Sequence, residues 1–332
     1  MPAPEPDAAQ PTGDPIDNDR PVDDLVHTAP EEELTAEVSP ENAAEVGEFM
    51  EQSAQQNEAA AEAAESAPTA QSEPARYISF EHVDKSFGNF VVLEDVSFFV
   101  NSGETLCILG RSGVGKSVSL QMLMGFLKPD SGVIRVAGED ITGLNEQALQ
   151  QIRRKVTMVF QNGALFDSIS VGENVAFPLR ERGELDEDQI LQVSRGLLEM
   201  VGVAGMTELL PSDLSTGMKR SVAIARALAS RPEAILYDEP TTMVDPLMGH
   251  LLGNLIERLK HQLHLTSIVV THDMRFAKKL ADRVVFLHEG KARFFGTMEE
   301  MEASNDPIIQ EFLLLDELVL PHFRPAATSA TT

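Results

Sequence analysis

The chain has 332 residues, 42% of them hydrophobic, and a formal net charge of −27. That length allows one large domain or two ordinary ones with an ample core. The acidity argues against nucleic acid as a partner, since a phosphate backbone needs clustered Lys and Arg, and against unaided adsorption to anionic lipid.

The charge is uneven along the chain. Residues 1–76 carry 19 acids against Arg20 and Arg76 only. Residues 1–75 are rich in Ala, Glu, Gln, Pro and Ser, with Phe49 as their one aromatic. Such a composition buries too little apolar surface to offset the entropy of ordering, so a disordered acidic extension is expected, with transient helix over about Glu41–Ser66. Its first residues, Met1-Pro-Ala-Pro-Glu-Pro-Asp7, have neither the basic start nor the apolar stretch of a signal peptide. No apolar run approaches the ~18–20 residues of a membrane span. The single cysteine, Cys107, permits no disulfide within the chain. Together these features lead to the expectation of a cytoplasmic protein.

Order is expected from Arg76 onward. Ile78, Phe80 and Val83, then Val96, Phe98 and Val100, alternate as in antiparallel strands. The apolar strand Thr105–Leu109 then runs into Gly110-Arg-Ser-Gly-Val-Gly-Lys116-Ser117, and a helical stretch from Val118 runs out. This octapeptide fits the phosphate-loop pattern GxxxxGK[ST] in the setting that the pattern requires. Glycines 110, 113 and 115 let successive N–H groups turn inward, and the helix N-terminus adds partial positive charge. The expected phosphate-contacting stretch is Gly110, Ser112, Gly113, Gly115, Lys116, Ser117 and Val118. Lys116 would reach the β- and γ-phosphates, and the Ser117 hydroxyl would ligand Mg²⁺. A nucleoside triphosphate ligand follows.

Beyond the loop, strands are predicted at Val133–Val136, Val156–Phe160, Ala234–Tyr237, Ser267–Val270 and Arg283–Leu287. Helices are predicted at Leu144–Arg153, Asp186–Val201, Met218–Ala229, Leu247–Leu263 and Met274–Ala281. Alternating apolar strands and helices imply an α/β fold with a mostly parallel sheet. The stretch from about Gly163 to Leu214 has helical patterns and no strand, so a helical lobe inserted between two sheet strands is expected. The principal domain is read as 76–300, followed by a C-terminal extension, 301–332, with an apolar-faced helix within Pro307–Leu320.

Further motifs narrow the chemistry. Ala234-Ile-Leu-Tyr-Asp238-Glu239 is a buried strand ending in two carboxylates. Asp238 suits Mg²⁺ coordination, and Glu239 suits polarising the water that attacks a γ-phosphate. Leu214-Ser-Thr-Gly-Met-Lys-Arg220 opens another helix. It resembles the LSGGQ signature of ATP-binding-cassette ATPases, and the order of phosphate loop, Gln161, signature, Asp238-Glu239, Asp245 and His272 is similar to that family's. The resemblance covers residues 77 to about 297. It implies a cassette with an antiparallel β subdomain and an inserted helical subdomain, and hydrolysis by a dimer in which the signature of one chain completes the ATP site of the other. In that scheme Phe87 stacks on adenine, Gln161 senses Mg²⁺ and the attacking water, and Ser215 and Gly217 touch the γ-phosphate held by the second copy. Asp245 lies at the dimer interface, and His272 contacts the γ-phosphate and holds Glu239. Thr216 departs from the signature's glycine, Met218 from its glutamine, and Met243-Val244 from the usual small residue and leucine.

Met158–Phe166 and Val171–Arg180 further resemble the Mce/Mla-type lipid-transport ATPases, whose signatures also carry methionine at the position of Met218. That resemblance implies phospholipid transport across the bacterial envelope. It also implies an integral membrane permease, an Mce-domain substrate-binding protein, and a peripheral location on the cytoplasmic face of the inner membrane. Ala164, Leu165, Phe166 and Phe177 are the expected permease socket. An importer ATPase for amino-acid-type solutes, or an ATP switch without transport, are the alternative expectations.

Overall fold

The computed structural model describes residues 43–66 and 76–318. Residues 1–42, 67–75 and 319–332, with the expectations that fall on them, lie outside the described residues. Helix α1 (Ala43–Ser66) comes first. The antiparallel strands β1 (Arg76–Phe87) and β2 (Phe90–Asn101) follow, then β3 (Thr105–Leu109) and α2 (Lys116–Leu123). Next are β4 (Ser131–Val136), the short β5 (Glu139–Asp140), α3 (Glu146–Lys155) and β6 (Val156–Val159). Helices α4 (Val171–Arg182), α5 (Glu187–Met200) and α6 (Thr216–Ala229) lead to β7 (Ala234–Asp238). The remainder is α7 (Pro246–Leu263), β8 (Thr266–Thr271), α8 (Met274–Leu280), β9 (Arg283–His288), β10 (Lys291–Gly296), α9 (Met298–Glu302) and α10 (Pro307–Leu318).

Two sheets form, one with strand order β2-β1-β4-β5 and one with order β10-β9-β3-β8-β7-β6. In the larger sheet every pairing is parallel except the β9–β10 hairpin at its edge. Strand β3 shows why its sequence is apolar throughout. Cys107 and Leu109 pack into one hydrophobic cluster with α6 and α7, while Leu106 and Ile108 pack into a second with β1, β2 and α2. A strand sandwiched this way needs no polar face.

The C-terminal ends of β6, β7, β8 and β3 emerge along one edge. Leu109 is level with Thr271, and Asp238 with Val270. Ligands of open parallel sheets bind at this edge, and every motif with expected chemistry in the sheet loops starts there. Helices α4 and α5 lie in the chain between the neighbouring strands β6 and β7.

Strand β10 has no counterpart among the predicted elements. Its signal was present in Glu289-Gly290, a two-residue connection with φ of 47° and 77° that suits a tight hairpin turn.

The larger correction concerns residues 43–66. Expected to be disordered with transient helix, they form the docked helix α1. Val46, Phe49, Ser53 and Asn57 recur on one stripe and are all buried, Phe49 to 2% exposure. Phe49 fits among Leu179, Leu185 and Arg231, with the Arg231 guanidinium 4.3 Å from its ring centroid. The Asn57 amide donates to Leu263 O at 2.7 Å, satisfying a carbonyl that the end of α7 leaves free. Average composition hid this because a few spaced positions carry most of the docking, while Glu48, Glu51, Gln52, Gln55 and Glu58 around them are polar and exposed.

Candidate active site

A cleft of about 710 Å³ opens at the edge where β3, β6, β7 and β8 end. Its floor is the loop between β3 and α2. Gly110 has a φ of 149°, and a Cβ there would come within 2.5 Å of Leu287 O. Gly115 has a φ of 101°, and a Cβ there would meet the Leu93 side chain at 2.6 Å. Neither position admits a side chain, so the loop sequence follows from the turn it makes. The loop delivers the N-terminus of α2, with its free N–H groups, to the cleft.

Lys116 is buried. Its Nζ donates to Gly110 O at 2.8 Å and Arg111 O at 3.1 Å, and lies 3.4 Å from Glu239 Oε1. The Ser117 hydroxyl donates to Asp238 Oδ1 at 2.9 Å. Burial pushes the Asp238 carboxyl above the usual carboxylate range; the charge of Glu239 adds to this, whereas Ser117, Lys116 and Arg220 oppose it. A hydroxyl and a desolvated carboxylate beside a phosphate loop are hard oxygen donors that fit Mg²⁺, with substrate phosphates supplying further ligands. Among the described residues no cluster of three or more His, Cys, Asp or Glu is placed to hold a metal ion.

Glu239 follows β7 in the left-handed region, φ 48°, a conformation that costs a non-glycine residue about 1–2 kcal/mol. Its amide donates to Val270 O at 2.9 Å, tying this turn to β8. The carboxylate Oε2 accepts from Thr242 Oγ1 at 3.2 Å and, as an acceptor-only group, from His272 Nδ1 at 2.7 Å. A carboxylate aimed into the cleft and steadied by Lys, Thr and His is placed to accept a proton from a water held beside a phosphate.

Phe87, Ser112, Gly113, Gly115, Lys116, Ser117, Val118, Gln161, Glu239 and His272 all line the cleft. Gly110 and Asp238 stand immediately behind it through the bonds to Lys116 and Ser117. Ser215, Gly217 and Asp245 do not line it. Within the chain Ser215 caps α6 by accepting from Met218 N, and Asp245 caps α7 by accepting from Met248 N. Gly217 packs against Met248.

Five lining residues were not foreseen: Phe90, Val92, Arg111, Thr242 and Phe312. Arg111 lies inside the phosphate-loop pattern at an unconstrained position. Phe90 sits across the β1–β2 turn from Phe87, a pairing readable from the hairpin register. Phe312 arrives from α10, packed on Phe286 with ring centroids 4.8 Å apart, while Glu311 beside it pairs with Arg111 at 2.6 Å. Nothing local to Phe312 signals that contact.

The family model for ABC transporters matches residues 93–242. The intermembrane phospholipid transport system ATP-binding protein MlaF of Haemophilus influenzae is 40% identical over 226 residues, covering 68% of this chain and 86% of that protein. The chain belongs to the ATP-binding-cassette transporter family. Arabidopsis thaliana protein TRIGALACTOSYLDIACYLGLYCEROL 3, chloroplastic, is 38% identical over 256 residues, covering 71% of this chain and 72% of that one. Among solved structures, a dimeric ATP-binding cassette, MJ0796, in a post-hydrolysis state bound to ADP and Pi, matches with a TM-score of 0.62. It is 30% identical, with 67% of this chain and 98% of that chain covered. The expected cassette fold and ATPase class are thereby established.

Proposed function

We propose that this chain is the ATP-hydrolysing subunit that energises phospholipid transport across a bacterial envelope through a membrane permease. The observation that supports hydrolysis best is the bonding of Glu239 to His272 and Thr242 directly over the phosphate loop. The cargo assignment is supported by the likeness to MlaF, the ATP-binding protein of an intermembrane phospholipid transport system.

In this reading the N–H groups from Gly110 to Val118 cradle the phosphates, and Lys116 exchanges its carbonyl partners for β- and γ-phosphate oxygens. Phe87 stacks on adenine, and the exposed Phe90 beside it widens that platform. Ser117, Asp238 and Gln161 would hold Mg²⁺, which would supply charge neutralisation to the phosphates. Glu239 takes the proton of the attacking water, while His272 fixes the carboxylate and reaches the γ-phosphate. Ser215, Gly217 and Asp245 act on the cleft of a second copy. The capping roles of Ser215 and Asp245 suit this, since a capped helix N-terminus still directs its dipole outward.

No described helix is long and apolar enough to cross a membrane, so the proposed attachment to the inner membrane runs through the permease. Phe166 and Phe177, exposed and with ring centroids 5.2 Å apart, form an apolar knob on the helical lobe, with Ala164 exposed nearby in the chain and Leu165 half-buried against the core. We assign this knob to the permease, with an Mce-domain protein as the further partner.

The test is a tagged pull-down from gently solubilised native membranes. A multi-span permease, an Mce-domain chain and bound phospholipid are expected. A permease with a solute-binding protein would move the cargo to small molecules, and recovery with no membrane partner would remove transport.

A further inference from the structure

Arg220 is 3% exposed, and the hydrolytic steps above give it no part. It sits on α6, five residues after the cap Ser215. Its Nη1 donates to Phe160 O at 3.3 Å, and Phe160 immediately precedes Gln161. Its Nη2 donates to Thr242 O at 3.5 Å, and Thr242 is the residue whose hydroxyl donates to Glu239. Its Nε has no hydrogen-bond partner among the described residues. Burial pulls the guanidinium below its usual range, and Asp238, the charge facing it, works the other way.

A side chain there that only filled space would better be apolar. Burying a cation with two long hydrogen bonds and one unmade bond is unfavourable compared with a methionine of similar length. The planar fork offers something a methionine lacks, which is donation to two backbone segments at once from a rigid frame. A second arginine of the same helix shows the contrast. Arg226 donates to Gly163 O at 3.1 Å and Ala164 O at 2.8 Å, so it holds only the loop that follows Gln161.

We propose that Arg220 is a positioning residue for ATP hydrolysis, holding the strand end that carries Gln161 and the turn that carries Glu239 at a common distance, both referred to the helix that starts at Ser215. This rests on the reading of Glu239 as the proton acceptor. Arg220 touches no substrate itself. It fixes the separation of the two side chains that must share one water, and such placement is worth roughly ten- to a hundredfold in rate when it slips by about 1 Å. Because α6 also carries the signature toward the second copy, this guanidinium passes a shift of that helix on closure to both loops at once.

The experiment compares Arg220→Met, Arg220→Lys and Glu239→Gln in the full chain, measuring Mg-ATP affinity, phosphate release and melting temperature. Arg220→Met is expected to bind Mg-ATP within about threefold of the parent, melt no lower, and lose roughly ten- to a hundredfold in kcat. Arg220→Lys, which keeps the charge and can reach one carbonyl, is expected to fall between the two. An Arg220→Met that turns over at the parental rate, with Glu239→Gln inactive, overturns this proposal alone. A Glu239→Gln that remains active overturns the hydrolytic reading beneath it. If Arg220→Met does not fold, Arg220→Lys decides: reduced kcat at unchanged affinity and melting temperature supports positioning, and parental kcat overturns it.

Discussion

The cleft and helix α1 were written in the sequence in opposite ways. The phosphate-loop and carboxylate residues of the cleft are constrained by local requirements that short patterns record. Gly110 and Gly115 have no room for a Cβ, Lys116 must carry a charge, and Asp238-Glu239 must follow a buried strand. Helix α1 is held by a surface assembled from α5, α7, β1, the end of α4 and the α6–β7 connection, elements far apart in the chain. Its own 24 residues contain no pattern beyond four spaced positions. Chemistry imposes motifs; docking asks only for complementarity.

If that division is sound, substitutions on the two sides should separate catalysis from stability. The largest effect is expected from Glu239→Gln. Removing the proton acceptor should slow phosphate release by about 10²–10⁴-fold while leaving Mg-ATP binding intact. Loss of binding in step with turnover would make Glu239 a structural part of the phosphate site.

Phe49→Ala should do the reverse. Emptying the pocket among Leu179, Leu185 and Arg231 costs on the order of 3 kcal/mol of α1 docking. Hydrogen exchange along α1 should accelerate, with turnover remaining within about twofold. A strongly reduced turnover would erase the separation and make α1 part of the catalytic apparatus.

Lys116→Ala comes next. Among the described residues its ammonium has only carbonyls and Glu239 as partners, so the charge is available to phosphate. Its loss should weaken Mg-ATP binding by about 2 kcal/mol, roughly thirtyfold, in a titration with labelled nucleotide. Asn57→Ala is smaller still. It leaves the Leu263 carbonyl without its donor and should lower the stability of the α1 contact by about 1 kcal/mol, read from the same exchange measurement.

What was legible follows the same line. The five parallel strands were readable because strands buried on both faces are apolar throughout, as Leu106, Cys107, Ile108 and Leu109 are. Ser215, Gly217 and Asp245 were readable as a set, yet the single chain shows them as helix caps and a packing glycine. Phe312 was beyond reach because only the packing of α10 on Phe286 brings it to the phosphate loop. Arg220 stood inside the signature segment, but its worth lies in two carbonyls 60 and 22 residues away.

Met243 tests the boundary between the two kinds of constraint. It lies between Glu239 and the cap Asp245, 88% exposed, with a φ of 61°. A left-handed backbone costs a methionine about 1–2 kcal/mol, and so exposed a side chain returns little of it through packing within the chain. Met243→Gly removes that strain but gives the unfolded chain more freedom to lose, so a net gain of about 0.5–1 kcal/mol is expected in a denaturant titration. A loss of stability would show that the methionine holds its turn by contacts within one chain. The expected gain, accompanied by slower turnover, would show instead that the strain is kept for a surface that meets a second copy, which is where a residue that stabilises nothing in its own chain finds its use.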